Sequence, residues 1–249
     1  MFMRLVQAKV KPEAEARVND VYREKVLSVL QKTLGCVYAC LIKSGSHPHE
    51  YISMTLWESK EHVDAYVESG IYKTVLQNLQ PVLADSSEWK IQLSKDLTLE
   101  YAPVTDDPVA ESYTVATASS EKVSLPEEKQ PLHVRLLSLK IRPEKTESFK
   151  EVYKSEIIPA LLKTQGCRYA FLTESMRDIH GFISITIWNS AKDAEKYETT
   201  GLFQQLLERT QAMMTELFQW KMQLGQNSTS ATSDDIHVER YEVVAGKTF

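Results

Sequence analysis

Cysteine is scarce in this 249-residue chain, which holds only Cys36, Cys40 and Cys167. Three thiols cannot all pair, and on one strand Cys36 and Cys40 would stand roughly 13 Å apart, too far for a disulfide. All three read as reduced thiols that pack as small hydrophobes. Long apolar runs are also missing, which excludes a membrane-spanning helix. The opening MFMRLVQAKV lacks the basic, apolar and small-residue zones of a signal peptide, so the expected location is the cytoplasm. No run of Lys or Arg occurs and the net charge is -5, so the basic patch that a nucleic-acid partner requires is absent. Nor is there a Gly-rich phosphate loop, a nucleophile elbow, an HExxH pair or a CxxC pair, which leaves nucleotide, hydrolase and zinc chemistry without support. His47-Pro48-His49 offers two imidazoles with no third ligand in view and reads as a surface loop, so neither a metal nor a cofactor is expected.

What is present is a duplication. Shifting the sequence by 131 residues aligns positions 4–93 with 135–224 without a gap, and 30 of the 90 pairs are identical. The identities include Pro12/Pro143, Tyr22/Tyr153, Gly35/Gly166, Cys36/Cys167, Tyr38/Tyr169, His49/His180, Trp57/Trp188, Tyr66/Tyr197, Gly70/Gly201 and Trp89/Trp220. The chain therefore divides into a first repeat over 1–103, a polar linker over 104–131 and a second repeat over 132–249. With its prolines among Ser, Thr, Asp and Glu, the linker has the composition of a solvated tether spanning roughly 30 Å.

Within the first repeat, residues 4–11 alternate as a strand, and Pro12 opens a helix with inward positions Ala14, Val18, Tyr22, Val26 and Val29. In the second repeat Pro159 is expected to kink the last turns of the equivalent helix. Residues 36–42 form a second strand and Tyr51–Trp57 a third. Ser59 caps a further helix that Gly70 interrupts, and Trp89–Leu93 is expected as the fourth strand. The order strand, helix, strand, strand, helix, strand is a ferredoxin-like unit. Such a unit leaves one sheet face open, and an open face carrying Leu5, Tyr38 and Trp57 needs a cover. The fold class expected is α+β: two tandem ferredoxin-like repeats packing sheet to sheet into a barrel within one chain. The tail strand at His237–Val244 and its counterpart near Leu97–Val104 have the option of crossing to the opposite sheet.

The third strand carries the chemistry. Ile52, Met54 and Leu56 point one way and Tyr51, Ser53, Thr55 and Trp57 the other, and the second repeat matches this with Phe182, Ser184, Thr186 and Trp188. Hydroxyls beside an indole suit the wall of a small-molecule pocket. The Met54 side is expected to face the helices and the Trp57 side the pocket. Replacements of Gln7 by Ser138, Val37 by Arg168 and Cys40 by Phe171 predict a smaller or more blocked cavity in the second repeat.

Each repeat resembles the antibiotic biosynthesis monooxygenase (ABM) domain of the dimeric α+β barrel superfamily. The resemblance rests on the Gly-Cys-x-Tyr second strand, the third strand ending in Trp-x-Ser, and the helix with Ser-Gly-Ile-Tyr or Thr-Gly-Leu-Phe. It covers roughly positions 3–102 and 132–244. It implies a cofactor-independent oxygenase acting on a phenolic, aromatic or polycyclic small molecule, in which the deprotonated substrate itself reduces dioxygen. By the same resemblance Trp57, Ser53 and Tyr66, with Trp188, Ser184 and Tyr197, are the catalytic candidates. Gln7, Tyr38, His49, Thr55, Ser138, Tyr169, His180 and Thr186 are the substrate-binding candidates. The family places Asn where Ser53 and Ser184 stand, and often His or Trp where Tyr66 and Tyr197 stand. A binding or regulatory barrel without turnover remains the alternative. Haem binding ranks lower, because the proximal histidine of that branch falls on Leu76 and Leu207, and an apolar side chain cannot ligate iron.

Overall fold

In the computed structural model, which describes residues 1–84, 89–93, 99–103, 109–119, 132–176, 180–215 and 238–249, the two repeats take the same course. The first runs through β1 (Phe2–Lys9), a long helix entered at Pro12, β2 (Cys36–Ser44), β3 (Glu50–Trp57), α3 (Lys60–Glu68) and α4 (Ile71–Leu79). Its long helix comprises α1 (Glu15–Val21), a wider π-helical turn (Tyr22–Leu27) and α2 (Ser28–Leu30). After a hairpin of β4 (Trp89–Leu93) and β5 (Leu99–Pro103) comes β6 (Val109–Ala118). The second repeat follows as β7 (His133–Lys140), α5 (Thr146–Val152), a π-helical turn (Tyr153–Ile157) and α6 (Ile158–Lys163). It continues with β8 (Cys167–Ser175), β9 (Gly181–Trp188), α7 (Ala191–Thr199), α8 (Leu202–Gln211) and β10 (Val238–Thr248).

The sheet closes on itself in the order β1-β3-β2-β10-β7-β9-β8-β6. Each half is a four-stranded antiparallel sheet, β6-β1-β3-β2 and β10-β7-β9-β8, and the halves join where β10 meets β2 and β6 meets β8. The register is shared as well: Phe2 opposes Trp57 and Lys9 opposes Glu50, just as His133 opposes Trp188 and Lys140 opposes Gly181. Barrel closure leaves no edge along these strands, so the duplicated chain is an intramolecular pseudo-dimer. No helix among the described residues is long and apolar enough to cross a membrane.

Two expectations are corrected. Trp89–Leu93 does not enter the barrel but pairs with Leu99–Pro103 in a separate hairpin. The fourth strand of the first half is Val109–Ala118, inside the stretch read as a solvated linker. Its neighbours are rich in Pro, Ser, Asp and Glu, and that composition hid a period-2 pattern in which Tyr113 and Val115 turn into the barrel. The second-repeat counterpart of Trp89–Leu93, including Trp220, and the Gly225–Ser233 stretch lie outside the described residues. The tail strand does bridge the halves, pairing with β7 of its own repeat and β2 of the other.

The second correction concerns the faces of β3. Ile52, Met54 and Leu56 fill the barrel interior, together with Met3, Leu5, Tyr38 and their second-half equivalents Ile185 and Ile187. Tyr51 and Trp57 pack under their own helices against Tyr22, Val26, Val63 and Tyr66. Both faces of β3 are buried, so the period-2 alternation separates the two sets of side chains without saying which set meets the helices. A bulge at Val37 turns the strand, so Cys36 lies on the helix side while Tyr38 lies inside the barrel. Tyr38 and Leu5 therefore share a face from which Trp57 is excluded.

Local chemistry explains the helix ends. Gly35 and Gly166 follow the long helices with φ of 79° and 88°, and a Cβ there would meet the side chains of His62 at 2.2 Å and Asp193 at 2.5 Å. Pro159 directly follows the π-helical turn, in the first turn of α6, and the helix runs on through it to Lys163. The predicted cap residue Ser59 makes no side-chain capping bond, whereas its equivalent Ser190 accepts from the Asp193 N–H at 3.2 Å.

Candidate functional site

In the second half a cavity of about 30 Å³ lies between the sheet and the repeat's own helices. Its floor is Leu137 and Leu139 of β7 with Ser184 and Thr186 of β9; its roof is Tyr153, Ile157 and Leu161 of the long helix. Tyr197 of α7 and Phe203, Leu206, Leu207 and Thr210 of α8 close the side, and Arg135 of β7 completes the wall. The space takes about two water molecules.

The π-helical turn begins on Tyr153 and brings its hydroxyl into hydrogen-bond contact with Ser184 Oγ, as Tyr22 does with Ser53 Oγ at 2.8 Å in the first half. Insertion of a wide turn at the same tyrosine in both repeats re-aims that side chain onto the sheet, a recurrent use of π-turns at functional sites. Burial pushes the Tyr153 phenol up to about 12, against the opposing pull of the Ser184 bond and of Arg135. Burial also raises the Tyr197 phenol, again opposed by Arg135. Both tyrosines are neutral near pH 7 and act as donors, not bases.

Arg135 is 2% exposed. Its Nε donates to Glu198 Oε1 at 2.6 Å, and Glu198 Oε2 accepts from Arg240 Nη2 at 2.6 Å. Its guanidinium carbon stands 4.3 Å from the centre of the Phe203 ring and 5.7 Å from that of Tyr197. Among the described residues the buried Nη2 has no hydrogen-bond partner. His133, two residues earlier on the same strand, has its pKa lowered first by burial and then by Arg240, so it is a neutral imidazole and adds no positive charge.

Of the candidates read from the sequence, Ser184, Thr186 and Tyr197 line this cavity together. Trp188 stands behind them, stacked on Tyr197 at 5.1 Å, and its indole N–H donates to Thr186 Oγ1 at 2.8 Å. The first half repeats this with Trp57 Nε1 on Thr55 Oγ1 at 2.9 Å and Trp57 against Tyr66 at 5.0 Å, beside Ser53. With its donor already used on the threonine, the fully buried tryptophan organises the wall behind the cavity. Trp188→Phe is therefore expected to cost about 1 kcal/mol of stability in a thermal melt and to leave ligand binding unchanged. Lost binding at unchanged stability would return the indole to the site.

The remaining candidates fall elsewhere. Tyr38 and Tyr169 belong to the barrel interior, Gln7 is exposed near the end of β1, and Ser138 is half-buried at the equivalent point of β7. His49 and His180 occupy hairpin turns at φ of 64° and 65°, a left-handed conformation that histidine tolerates better than most residues. Their carbonyls accept from Val10 N at 2.9 Å and Ile141 N at 3.0 Å, which gives the repeated histidine a structural reason. The replacements at 7/138, 37/168 and 40/171 lie away from the helix-side cavity, so the expectation of a blocked second half rested on the wrong face. Arg135, Tyr153 and Thr210 were missed. For the first two the signal was there, since Arg4/Arg135 and Tyr22/Tyr153 are identical pairs and the arginine shares its strand face with Val6 and Leu137.

The sequence profile described as antibiotic biosynthesis monooxygenase matches residues 1–78 and 133–209. No curated protein matches the chain in sequence. Among solved structures, a candidate monooxygenase from Fusobacterium nucleatum superposes with a TM-score of 0.66 at 10% identity, covering 99% of this chain and 94% of that one. A second candidate monooxygenase, from Lactobacillus acidophilus, gives 0.64 at 7% identity over 99% and 95%. An anthrone oxidase-like protein gives 0.58 at 13% identity over 99% and 92%. At such identities the structural likeness concerns the fold alone. The profile, by contrast, covers most of both repeats, and the chain belongs to the antibiotic biosynthesis monooxygenase family.

Proposed function

We propose that this protein is a cofactor-independent monooxygenase that oxygenates an electron-rich phenolic or aromatic small molecule held in the cavity of the second half. The observation that carries this reading is the pairing of Tyr153 with Ser184 at the base of an otherwise apolar, helix-covered cavity. An electron-rich ring that has lost a proton passes an electron to dioxygen, and the two radicals combine to a peroxide. Loss of water leaves a new carbonyl, so one oxygen atom enters the product and the other leaves as water. The protein's task is to exclude water and place neutral donors where negative charge collects. Tyr153 and Ser184 supply such donors. Since the tyrosines are not bases, the substrate proton goes to solvent, and the rate follows the ionisation of the substrate itself. The helix α8 is the wall that yields to a ring-sized ligand, because Phe203 and Leu206 are only half-buried.

The test uses anthrone, the substrate type named for one structural relative, under labelled dioxygen. One labelled oxygen per quinone is expected, formed faster than without protein, and Tyr153→Phe is expected to slow turnover roughly 10²-fold. Product formation no faster than the uncatalysed reaction, across anthrone and simple hydroquinones, would overturn the reading. A binding barrel without turnover is the second reading, favoured by the lack of a base among the cavity side chains, and ligand binding without product would select it.

A further inference from the structure

We propose that the second-half cavity is an anion subsite, in which Arg135 Nη2 holds the ionised oxygen of a small aromatic carboxylate or phenolate. This deepens the oxygenase reading by naming the charge of its ligand, and it rests on that reading only for the location of the site.

The argument is one of a buried donor left unmatched. Burying a guanidinium is costly unless its charge is paired and its N–H groups are satisfied. Glu198 gives Oε1 to Arg135 Nε and Oε2 to Arg240. Among the described residues the Arg135 Nη2 is buried and unmatched, although Arg135 lines a cavity. Buried unmatched donors are rare in folded proteins and call for a stated cause, and a ligand oxygen would satisfy this one. The rings of Tyr197 and Phe203 beside the guanidinium give an aromatic ligand apolar walls. The field of Arg135 already reaches those walls, because it opposes the burial-driven rise of both the Tyr153 and Tyr197 phenols.

The first half is built differently at this point. Arg4 lies 4.0 Å over the Tyr72 ring, and Val67 stands at the position of Glu198. Among the described residues no carboxylate pairs with that guanidinium, so the two repeats differ at this point. Glu198 is a positioning residue: it holds Arg135 through Nε and leaves Nη2 without a partner among the described residues.

Isothermal titration of the full chain with benzoate and with benzamide, its neutral isostere, tests the proposal. Wild-type protein should bind benzoate about tenfold to a hundredfold more tightly than benzamide, the size of a hydrogen bond to a charged group. Arg135→Gln should bind the two equally, Arg135→Lys should keep part of the preference, and Arg4→Gln should keep all of it. Equal binding of the two ligands by the wild type, no benzoate binding in the millimolar range, or loss of the preference in Arg4→Gln alone would each overturn the proposal. The wild-type comparison stands even if Arg135→Gln fails to fold. Benzoate preference without oxygenation of anthrone would sink the oxygenase and keep the subsite. Oxygenation with no preference for the anion would do the reverse.

Discussion

Removal of residues 238–249 is expected to destroy the folded state. Strand β10 is paired along both sides, with β2 of the first half and β7 of the second, and forms one of the two seams at which the halves meet. Tyr241, Val243 and Ala245 of this strand are buried. Losing the two larger side chains alone forfeits about 3 to 6 kcal/mol of burial, comparable with the whole stability of an ordinary domain. Two long strand edges are also exposed, and such edges pair with other chains. The truncated chain should therefore aggregate or melt at a much lower temperature, read by circular dichroism and size-exclusion chromatography, while removal of Phe249 alone should do neither. A soluble truncated monomer melting within a few degrees of the parent would show that the halves do not depend on the shared strand.

The duplication made the architecture legible, because a repeat with a fixed offset of 131 residues exposes which positions both halves need. Helix and strand order followed from periodicity, and the barrel from the need to cover an open sheet face. Two things were hidden. The first was the fourth strand, because Val109–Ala118 sits amid linker-like composition, while Trp89–Leu93 offered a better strand pattern and went to a hairpin instead. The second was which face of β3 meets the helices. A strand buried on both sides shows two apolar faces, and period 2 separates them without saying which is which. The mixed hydroxyl and aromatic face of β3 is covered by the repeat's own helices and not by the other repeat. Tyr153 contributes through a π-helical turn, and Arg135 through an ion pair with the half-buried Glu198, a residue distant in sequence.

That reversal also changes what core substitutions report. Met54→Ala opens space between the two halves in place of the helix layer, and its effect on stability says nothing about the cavity under α8.

The central claim is that the working cavity lies in the second half, between its sheet and its own helices, and filling that cavity tests it most directly. Leu207 lines it, and Leu76 holds the equivalent place in the first half. Leu207→Trp and Leu76→Trp each overpack one helix, at about 1 to 3 kcal/mol, so matched melts control for stability. Benzoate affinity and anthrone turnover are then measured on both variants. The account predicts that Leu207→Trp loses both activities by more than about tenfold while Leu76→Trp keeps them, since the indole at 207 takes the volume proposed for the ligand. Loss in Leu76→Trp with retention in Leu207→Trp, or retention in both, would contradict it.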